Sequence, residues 1–288
     1  MSVFQFFVGV VILFLGIFKP LLYKPVAEKY LPKFSPIFVS FWMVAGIIMT
    51  FPFVCNKFGF SIDVMKNNVF AFGAAILKGW FVWGAVWSFQ IINKKSTSTS
   101  VFFPFISLSF ASLVMNLFFD ENLKLIHLMS IVLLGVLGGI FYFCGDAKRM
   151  NASEKRMFLI AILFAGGCSV VDHVGIKGIG WYPYLVVSNI AMFLWVLIKG
   201  CSFESIKNIF TEKQIVIAGI FTICYEVIIL ASMIAVMPVS FVSFFMRLSA
   251  PIVMIFSAIK FKEQTITNQL VFGCLAILFA IPMMFVAR

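Results

Sequence analysis

Apolar runs long enough to cross a membrane recur along the whole chain. Each run has the length that a helix needs to cross a hydrocarbon core, about 17 to 25 residues. The chain is 62% hydrophobic and 11% charged, whereas soluble domains contain about 25% charged residues. The sequence therefore predicts an all-α integral membrane protein with ten transmembrane helices. The predicted spans are roughly 3–27, 35–55, 67–91, 98–119, 125–144, 156–175, 181–199, 214–236, 239–260 and 266–286.

The surplus of positive charge does not indicate a nucleic-acid partner. Lys and Arg number 22 against 11 Asp and Glu, but the basic residues stand singly or in pairs in short loops, without an aromatic-interleaved basic patch. The six cysteines are scattered and form no C-x-x-C pair, so neither a metal nor another cofactor is expected. The expected surroundings are a lipid bilayer, and a monomer and a homodimer are both compatible with the sequence.

The distribution of Lys and Arg between the loops indicates an orientation. With ten spans, five of these residues lie on the side of the termini and fifteen on the other side. Positive loops stay in the cytoplasm. We therefore expect a multi-pass protein of the cell (cytoplasmic) membrane with both termini on the non-cytoplasmic side.

The two halves of the chain align with each other when one is shifted by 142 residues. The shift superposes Phe102 on Phe244 and Glu121 on Glu263, and the glutamate match is informative because charge is scarce here. Five helices is an odd number, so the second half enters the membrane from the opposite side. The prediction is two inverted five-helix repeats, residues 1–148 and 149–288.

The C-terminal segment "FMRLSAPIVMIFSAIKFKEQTITNQLVFGCLAILFAI" resembles the end of an EamA-type member of the drug/metabolite transporter superfamily. The matching residues are Pro251, Glu263, Gln269 and Gly273. The first half carries a degraded copy, and its corresponding residues are Glu121, Gly135 and Gly138, with His127 in place of the glutamine and Ser109 in place of the proline. The resemblance implies a ten-helix carrier whose third, fourth, eighth and ninth spans surround a central solute pathway.

Three charged residues lie deep within predicted spans: Lys78, Glu226 and Arg247. A charge at the centre of a bilayer costs about 2.5 to 3.5 kcal/mol on insertion scales, so such residues face the bundle interior and a partner or solute. Their formal sum is positive and suits a carboxylate or phosphate, while Glu226 is suited to hold an amine or a coupling proton. Two other interpretations stay open: a structural ion pair of Glu226 with Arg247 or Lys78, and snorkelling of Lys78 to the interface.

Two further groups of residues are candidates for the site. Trp80, Trp83 and Trp87 share one helix face, and we assign Trp83 and Trp87 to solute binding by stacking, with helix or lipid packing as the alternative. Asp172 and His173 lie at the end of the sixth span and are candidates for proton coupling beside Glu226. A solvated loop is the alternative interpretation for this pair.

These features favour a secondary transporter that moves a small anionic or zwitterionic metabolite, such as an amino acid, by alternating access. The chain contains no G-x-x-x-x-G-K-[ST] motif, so a proton or a counter-solute is the expected coupling partner. One alternative is proton-coupled efflux of apolar or cationic drugs. An intramembrane enzyme that uses Asp172 and His173, or His127, is not expected, since no G-x-S-x-G motif or metal-spaced histidine pair occurs. A scaffold or lipid-binding subunit is a third class.

Overall fold

The computed structural model describes ten helices and the short connections between some of them. The described residues are 3–29, 44–46, 48, 68–119, 123–144, 148, 150–199, 203–235, 239–262 and 266–284. Most of the predicted second span therefore lies outside the described residues. The helices are α1 Val3–Lys29, α2 Val69–Lys95, α3 Thr97–Phe119, α4 Leu125–Cys144, α5 Ala152–Ile179, α6 Trp181–Ile198, α7 Phe203–Thr211, α8 Lys213–Ala235, α9 Val239–Phe261 and α10 Ile266–Met284.

Seven of the described helices are long and apolar enough to cross a membrane. They are α1 to α6 and the part of α9 from Phe244 to Phe261. The apolar stretches of α8 and α10 are shorter, Lys213–Tyr225 and Ile266–Pro282. The chain is thus an all-α, multi-pass membrane protein, as its composition predicts.

Helices from the two sequence halves pack against each other. The most extensive contact of α2 is with α5, followed by α6, and the most extensive contact of α1 is with α9, followed by α8. Helix α4 bridges α3 and α10. The bundle therefore intermixes elements of residues 1–148 with elements of residues 149–288.

The largest buried cluster among the described residues lies where α3, α4, α5, α9 and α10 meet. Phe102 and Phe141 stack at its centre with 4.1 Å between ring centroids, and Phe272 meets both rings edge to face. Large apolar side chains are also exposed on the outside, such as Phe70 at 88% and Ile198 at 74%. Such an apolar exterior suits lipid, because hydrocarbon chains solvate these groups better than water does.

The start of α5 has the capping box that its sequence predicts. The Asn151 side chain accepts a hydrogen bond from the Glu154 N–H at 2.9 Å, and the Glu154 carboxylate accepts one from the Asn151 N–H at 2.9 Å. Two N–H groups that the helix leaves unpaired are thereby satisfied. The sequence Thr211-Glu-Lys-Gln214 also fits the capping-box pattern. In the structure, however, Thr211 ends α7 and its hydroxyl donates to the carbonyl of Lys207.

Two glycines allow close helix contacts. A Cβ on Gly79 would lie 2.6 Å from the backbone nitrogen of Met192, so α2 meets the backbone of α6 directly there. A Cβ on Gly273 would lie 2.6 Å from the Cβ of Pro251. The proline and the glycine on which the EamA resemblance rests therefore contact each other across α9 and α10.

We predict that Gly79→Ala destabilises the protein by about 1 to 3 kcal/mol, because the new methyl group overlaps the backbone of α6. Gly73 lies on the same helix and a Cβ there would have no neighbour within 4 Å. Gly73→Ala should leave stability unchanged or raise it by up to about 1 kcal/mol through helix propensity. Thermal unfolding of the purified protein in detergent measures both variants. Equal melting temperatures for Gly79→Ala and the wild type would contradict the close contact.

Candidate solute-binding cavity

A cavity of about 440 Å³ lies within the bundle. It is enclosed by α1, α2, α3, α8 and α9, so helices from both sequence halves form its wall. The volume is in the range of sites for small molecules, about 300 to 1,000 Å³. Its lining residues are mostly apolar: Gly16, Lys19, Pro20, Tyr23, Val82, Ala85, Val86, Phe89, Gln90, Ser100, Val101, Phe103, Pro104, Phe105, Tyr225, Met246, Arg247, Ser249 and Ala250.

Two cations line this cavity, Lys19 of α1 and Arg247 of α9. They are the charged side chains among the described lining residues. The Nε and Nη1 atoms of Arg247 are inaccessible to solvent. Because low-dielectric surroundings strengthen electrostatic interactions, an anionic group at this cavity would be attracted by both cations.

The position of Lys19 is set by contacts between α1 and α8. Its ammonium nitrogen lies 4.6 Å from the ring centroid of Tyr225, a cation–π distance. One turn further along α1, the hydroxyl of Tyr23 forms a hydrogen bond with the hydroxyl of Thr222. These two contacts hold one wall of the cavity, and both use aromatic residues that also line it.

Gln90 of α2 is the most unusual neutral group in the lining. The residue is 1% exposed, and its Oε1 atom has no hydrogen-bond partner among the described residues. A buried acceptor without a partner costs about 1 to 3 kcal/mol. Native proteins keep few such groups, and each one calls for an explanation.

A polar turn between α2 and α3 adjoins Gln90. The side-chain amide of Asn93 donates to the carbonyl of Pro20 on α1 at 3.4 Å, and the hydroxyl of Ser100 donates to Asn93 Oδ1 at 3.2 Å. Residues 96 to 100 are buried although all are serine or threonine. Hydroxyls of Ser96, Ser98, Thr99 and Ser100 bond one another or the backbone, as in the Ser96 to Thr99 contact at 2.9 Å. The turn therefore fixes α1, α2 and α3 relative to one another beside the cavity.

Lys78 lies outside the cavity lining and binds Asp172 of α5. Its ammonium nitrogen contacts both carboxylate oxygens, at 2.6 and 2.7 Å. The side chains are 17% and 30% exposed, and Lys78 is nine residues, about 14 Å, from the start of α2. The structure therefore gives Lys78 a partner that the sequence did not indicate, since the sequence assigned Lys78 to the solute, with an ion pair to Glu226 or snorkelling as the alternatives. The solute-binding role of Lys78 stays a prediction. Asp172 faces a neighbouring helix and not a loop.

The two histidines have local contacts. His173 Nε2 lies 2.8 Å from the ammonium of Lys177, one turn further along α5. His127 Nδ1 accepts a hydrogen bond from the backbone N–H of Lys124 at 3.1 Å, at the start of α4. Asp172 and His173 therefore point to different neighbours. The proton-coupling role of both stays a prediction.

Trp80, Trp83 and Trp87 of α2 all contact other aromatic rings. Trp83 and Trp87 stack with centroids 6.0 Å apart and planes 2° apart, and Trp80 lies 4.9 Å from Phe164 of α5. None of these three indoles is among the described lining residues of the cavity. Their neighbours Val82, Ala85, Val86 and Phe89 line it instead. Solute binding by Trp83 and Trp87 stays a prediction.

Three glutamates of the sequence analysis are not fully described by the structure. Glu121 and Glu263 lie outside the described residues. The backbone of Glu226 belongs to α8, but its side chain is not among the described ones. Within the described ranges, no group of three His, Cys, Asp or Glu side chains could hold a metal.

Two lining residues were missed by the sequence argument, Lys19 and Gln90. Lys19 lies within the predicted first span and is followed by eight more residues of it. A lysine inside an apolar run was the available signal. Gln90 gave none, because a glutamine near the predicted end of a span is ordinary.

A comparison with known protein families finds no family model that matches the chain, and a comparison with curated proteins finds no match.

The ion pair between Lys78 and Asp172 makes a testable prediction. Lys78→Met leaves the Asp172 carboxylate without its partner in the bundle and should destabilise the protein by about 3 to 5 kcal/mol. The double variant Lys78→Met/Asp172→Leu should recover most of that loss. The exposed pair of Lys29 and Glu212, at 3.0 Å, is the control, and Lys29→Met should cost at most about 1 kcal/mol. Thermal unfolding in detergent measures all four proteins. A double variant as unstable as Lys78→Met would show that the two charges are not coupled.

Proposed function

We propose that this protein is a secondary transporter, of the EamA type in the drug/metabolite transporter superfamily, that moves a small anionic or zwitterionic metabolite across the cell membrane. An amino acid or a related compound is the preferred solute class. The observation that carries the proposal is the pair of cations, Lys19 and Arg247, that line one cavity between the helices.

The charge of the cavity supports an anionic group on the solute. Taken with Glu226, whose backbone follows Tyr225 directly in α8, Lys19 and Arg247 leave one formal positive charge. A solute carboxylate or phosphate complements that charge. Arg247 is suited to hold either group in two parallel hydrogen bonds.

The composition of the wall supports alternating access. The cavity is lined by α1, α2 and α3 from residues 1–148 and by α8 and α9 from residues 149–288. In carriers built from inverted repeats, the solute binds at the interface of the halves, and rocking of one half against the other exposes it to each side. Prolines within α1, α3 and α9 add points at which these helices can bend.

The energy source we propose is an ion or solute gradient. The sequence lacks the phosphate-binding loop of ATP-driven pumps. Glu226, Asp172 and His173 are the candidates to carry a coupling proton, and exchange against a counter-solute is the other route. The function is that of a carrier and not of an enzyme.

Proton-coupled efflux of cationic drugs is the rival function within transport. Its support is the apolar and aromatic lining, including Phe89, Phe103 and Phe105. Lys19 and Arg247 oppose it, because both repel a cation at the same cavity. If the protein is a drug-efflux carrier, Glu226→Gln should abolish transport, whereas substitution of Arg247 should be tolerated.

A ligand screen tests the proposal. The purified protein in lipid nanodiscs is titrated with amino acids, small carboxylates, sugar phosphates and cationic drugs, and the melting temperature is recorded. A ligand stabilises the folded state by RT ln(1 + [L]/Kd). We expect anions or zwitterions to raise the melting temperature. Arg247→Gln and Lys19→Gln should each weaken their binding by about 10- to 100-fold, since a hydrogen bond to a charged group contributes about 1.5 to 3 kcal/mol.

Lys24 supplies the matched control for this screen. It lies five residues after Lys19 on α1, is 4% exposed, contacts the ring of Phe261 at 4.5 Å and is not a lining residue. Lys24→Gln should leave ligand affinity unchanged. Uptake of the best ligand into proteoliposomes then tests transport itself. Stabilisation by cations alone, unaffected by Arg247→Gln, would overturn the proposal in favour of drug efflux.

A further inference from the structure

The neutral polar groups of the cavity have a common property: they offer acceptors. The hydroxyl of Ser249 donates to the carbonyl of Met246 at 2.6 Å, and that of Ser100 shares its one hydrogen between the carbonyl of Thr97 at 2.8 Å and Asn93 Oδ1 at 3.2 Å. A hydroxyl has one hydrogen to donate and two lone pairs to accept with. Both serines therefore have acceptor capacity left at the cavity wall.

Gln90 adds an acceptor whose capacity is entirely unused. Its Oε1 has no hydrogen-bond partner among the described residues, and the side chain lines the cavity. The last torsion of glutamine is soft, so the carboxamide can turn its oxygen toward a ligand. A donor on the ligand would satisfy this acceptor.

The lining thus contains two kinds of polar group and a large apolar remainder. Lys19 and Arg247 complement an anionic group, and the acceptors complement an N–H donor. Val82, Val86 and Met246 belong to the apolar wall, which complements a hydrocarbon body. A simple carboxylate complements only the cations. A zwitterion with an aliphatic side chain complements the cations, the acceptors and the apolar wall.

We propose that Gln90 is the residue that selects zwitterions over plain anions at this cavity, by accepting a hydrogen bond from the ammonium group of an apolar amino acid. This inference rests on the proposed function and narrows its solute class. Arg247 and Lys19 hold the carboxylate, and Gln90 determines whether an amine beside it is recognised.

Three probes that share the isobutyl group of leucine test this inference. Leucine carries a carboxylate and an ammonium, 4-methylpentanoate carries only the carboxylate, and 3-methylbutylamine carries only the ammonium. Their affinities for the full chain in nanodiscs are measured by calorimetric titration. For the wild type we expect leucine to bind about tenfold more tightly than 4-methylpentanoate, a difference of about 1.4 kcal/mol, and 3-methylbutylamine to bind most weakly.

Substitutions at Gln90 then separate its role from that of the cations. Gln90→Leu should weaken leucine about tenfold and leave 4-methylpentanoate unchanged. Gln90→Glu should weaken 4-methylpentanoate by like-charge repulsion while leucine binds at least as tightly as to the wild type. This second variant lowers the affinity for 4-methylpentanoate without lowering the affinity for leucine, which a loss of folding cannot do. Gln269→Leu is the control, because Gln269 is a buried glutamine, 0% exposed, that does not line the cavity. It should change neither affinity.

The outcomes distinguish the inference from the proposed function. If leucine and 4-methylpentanoate bind equally, or if Gln90→Leu weakens both alike, Gln90 does not select the amine. The proposed transport of an anionic solute is then retained without this role for Gln90. If neither carboxylate binds and 3-methylbutylamine does, or if none of the three probes binds, both the inference and the anionic solute class are overturned.

Discussion

Charge inside an apolar bundle is the constraint on which this structure depends. In a medium of low dielectric constant, each charged side chain has to meet another polar group, because its own hydration is lost. Lys78 meets that requirement through Asp172, at 2.6 and 2.7 Å. Lys19 and Arg247 both line the cavity. The first arrangement pairs opposite charges between two helices, and the second places two cations at one cavity.

Helix α2 connects the two arrangements. Lys78 lies one turn before Val82, which is the first residue of α2 in the cavity wall, and Gln90 is the last. The N-terminal part of the helix is tied to α5 by the ion pair and to α6 by the contact at Gly79. Its C-terminal part is tied to α1 and α3 through Asn93. Helix α2 therefore links the cavity wall to contacts with both halves of the sequence.

The membrane class and most spans could be predicted from the sequence, because long apolar runs have few alternatives to a transmembrane helix. Nine of the ten predicted spans coincide with described helices, and most of the other lies outside the described residues. The deep position of Arg247 was also visible as one charge in "FFMRLSAPIV". The partner of Lys78 was not, because helical periodicity tells which residues share a face but not which helix that face meets. Asp172 was interpreted as a boundary residue because the sixth span was predicted to end at 175, whereas α5 continues to Ile179.

Two lysines on α1 illustrate what the sequence leaves undecided about the site. Lys19 and Lys24 are each followed by a proline, and both lie in one apolar helix. Five residues turn a helix by about 500°, so the two side chains point some 140° apart. In the structure both ammonium groups lie over aromatic rings, Lys19 over Tyr225 and Lys24 over Phe261. Yet only Lys19 belongs to the described cavity wall, since Tyr225 is part of that wall and Phe261 is not. The rotation of α1 about its axis thus decides which of its lysines lines the cavity, and that rotation is set by long-range contacts such as Tyr23 with Thr222.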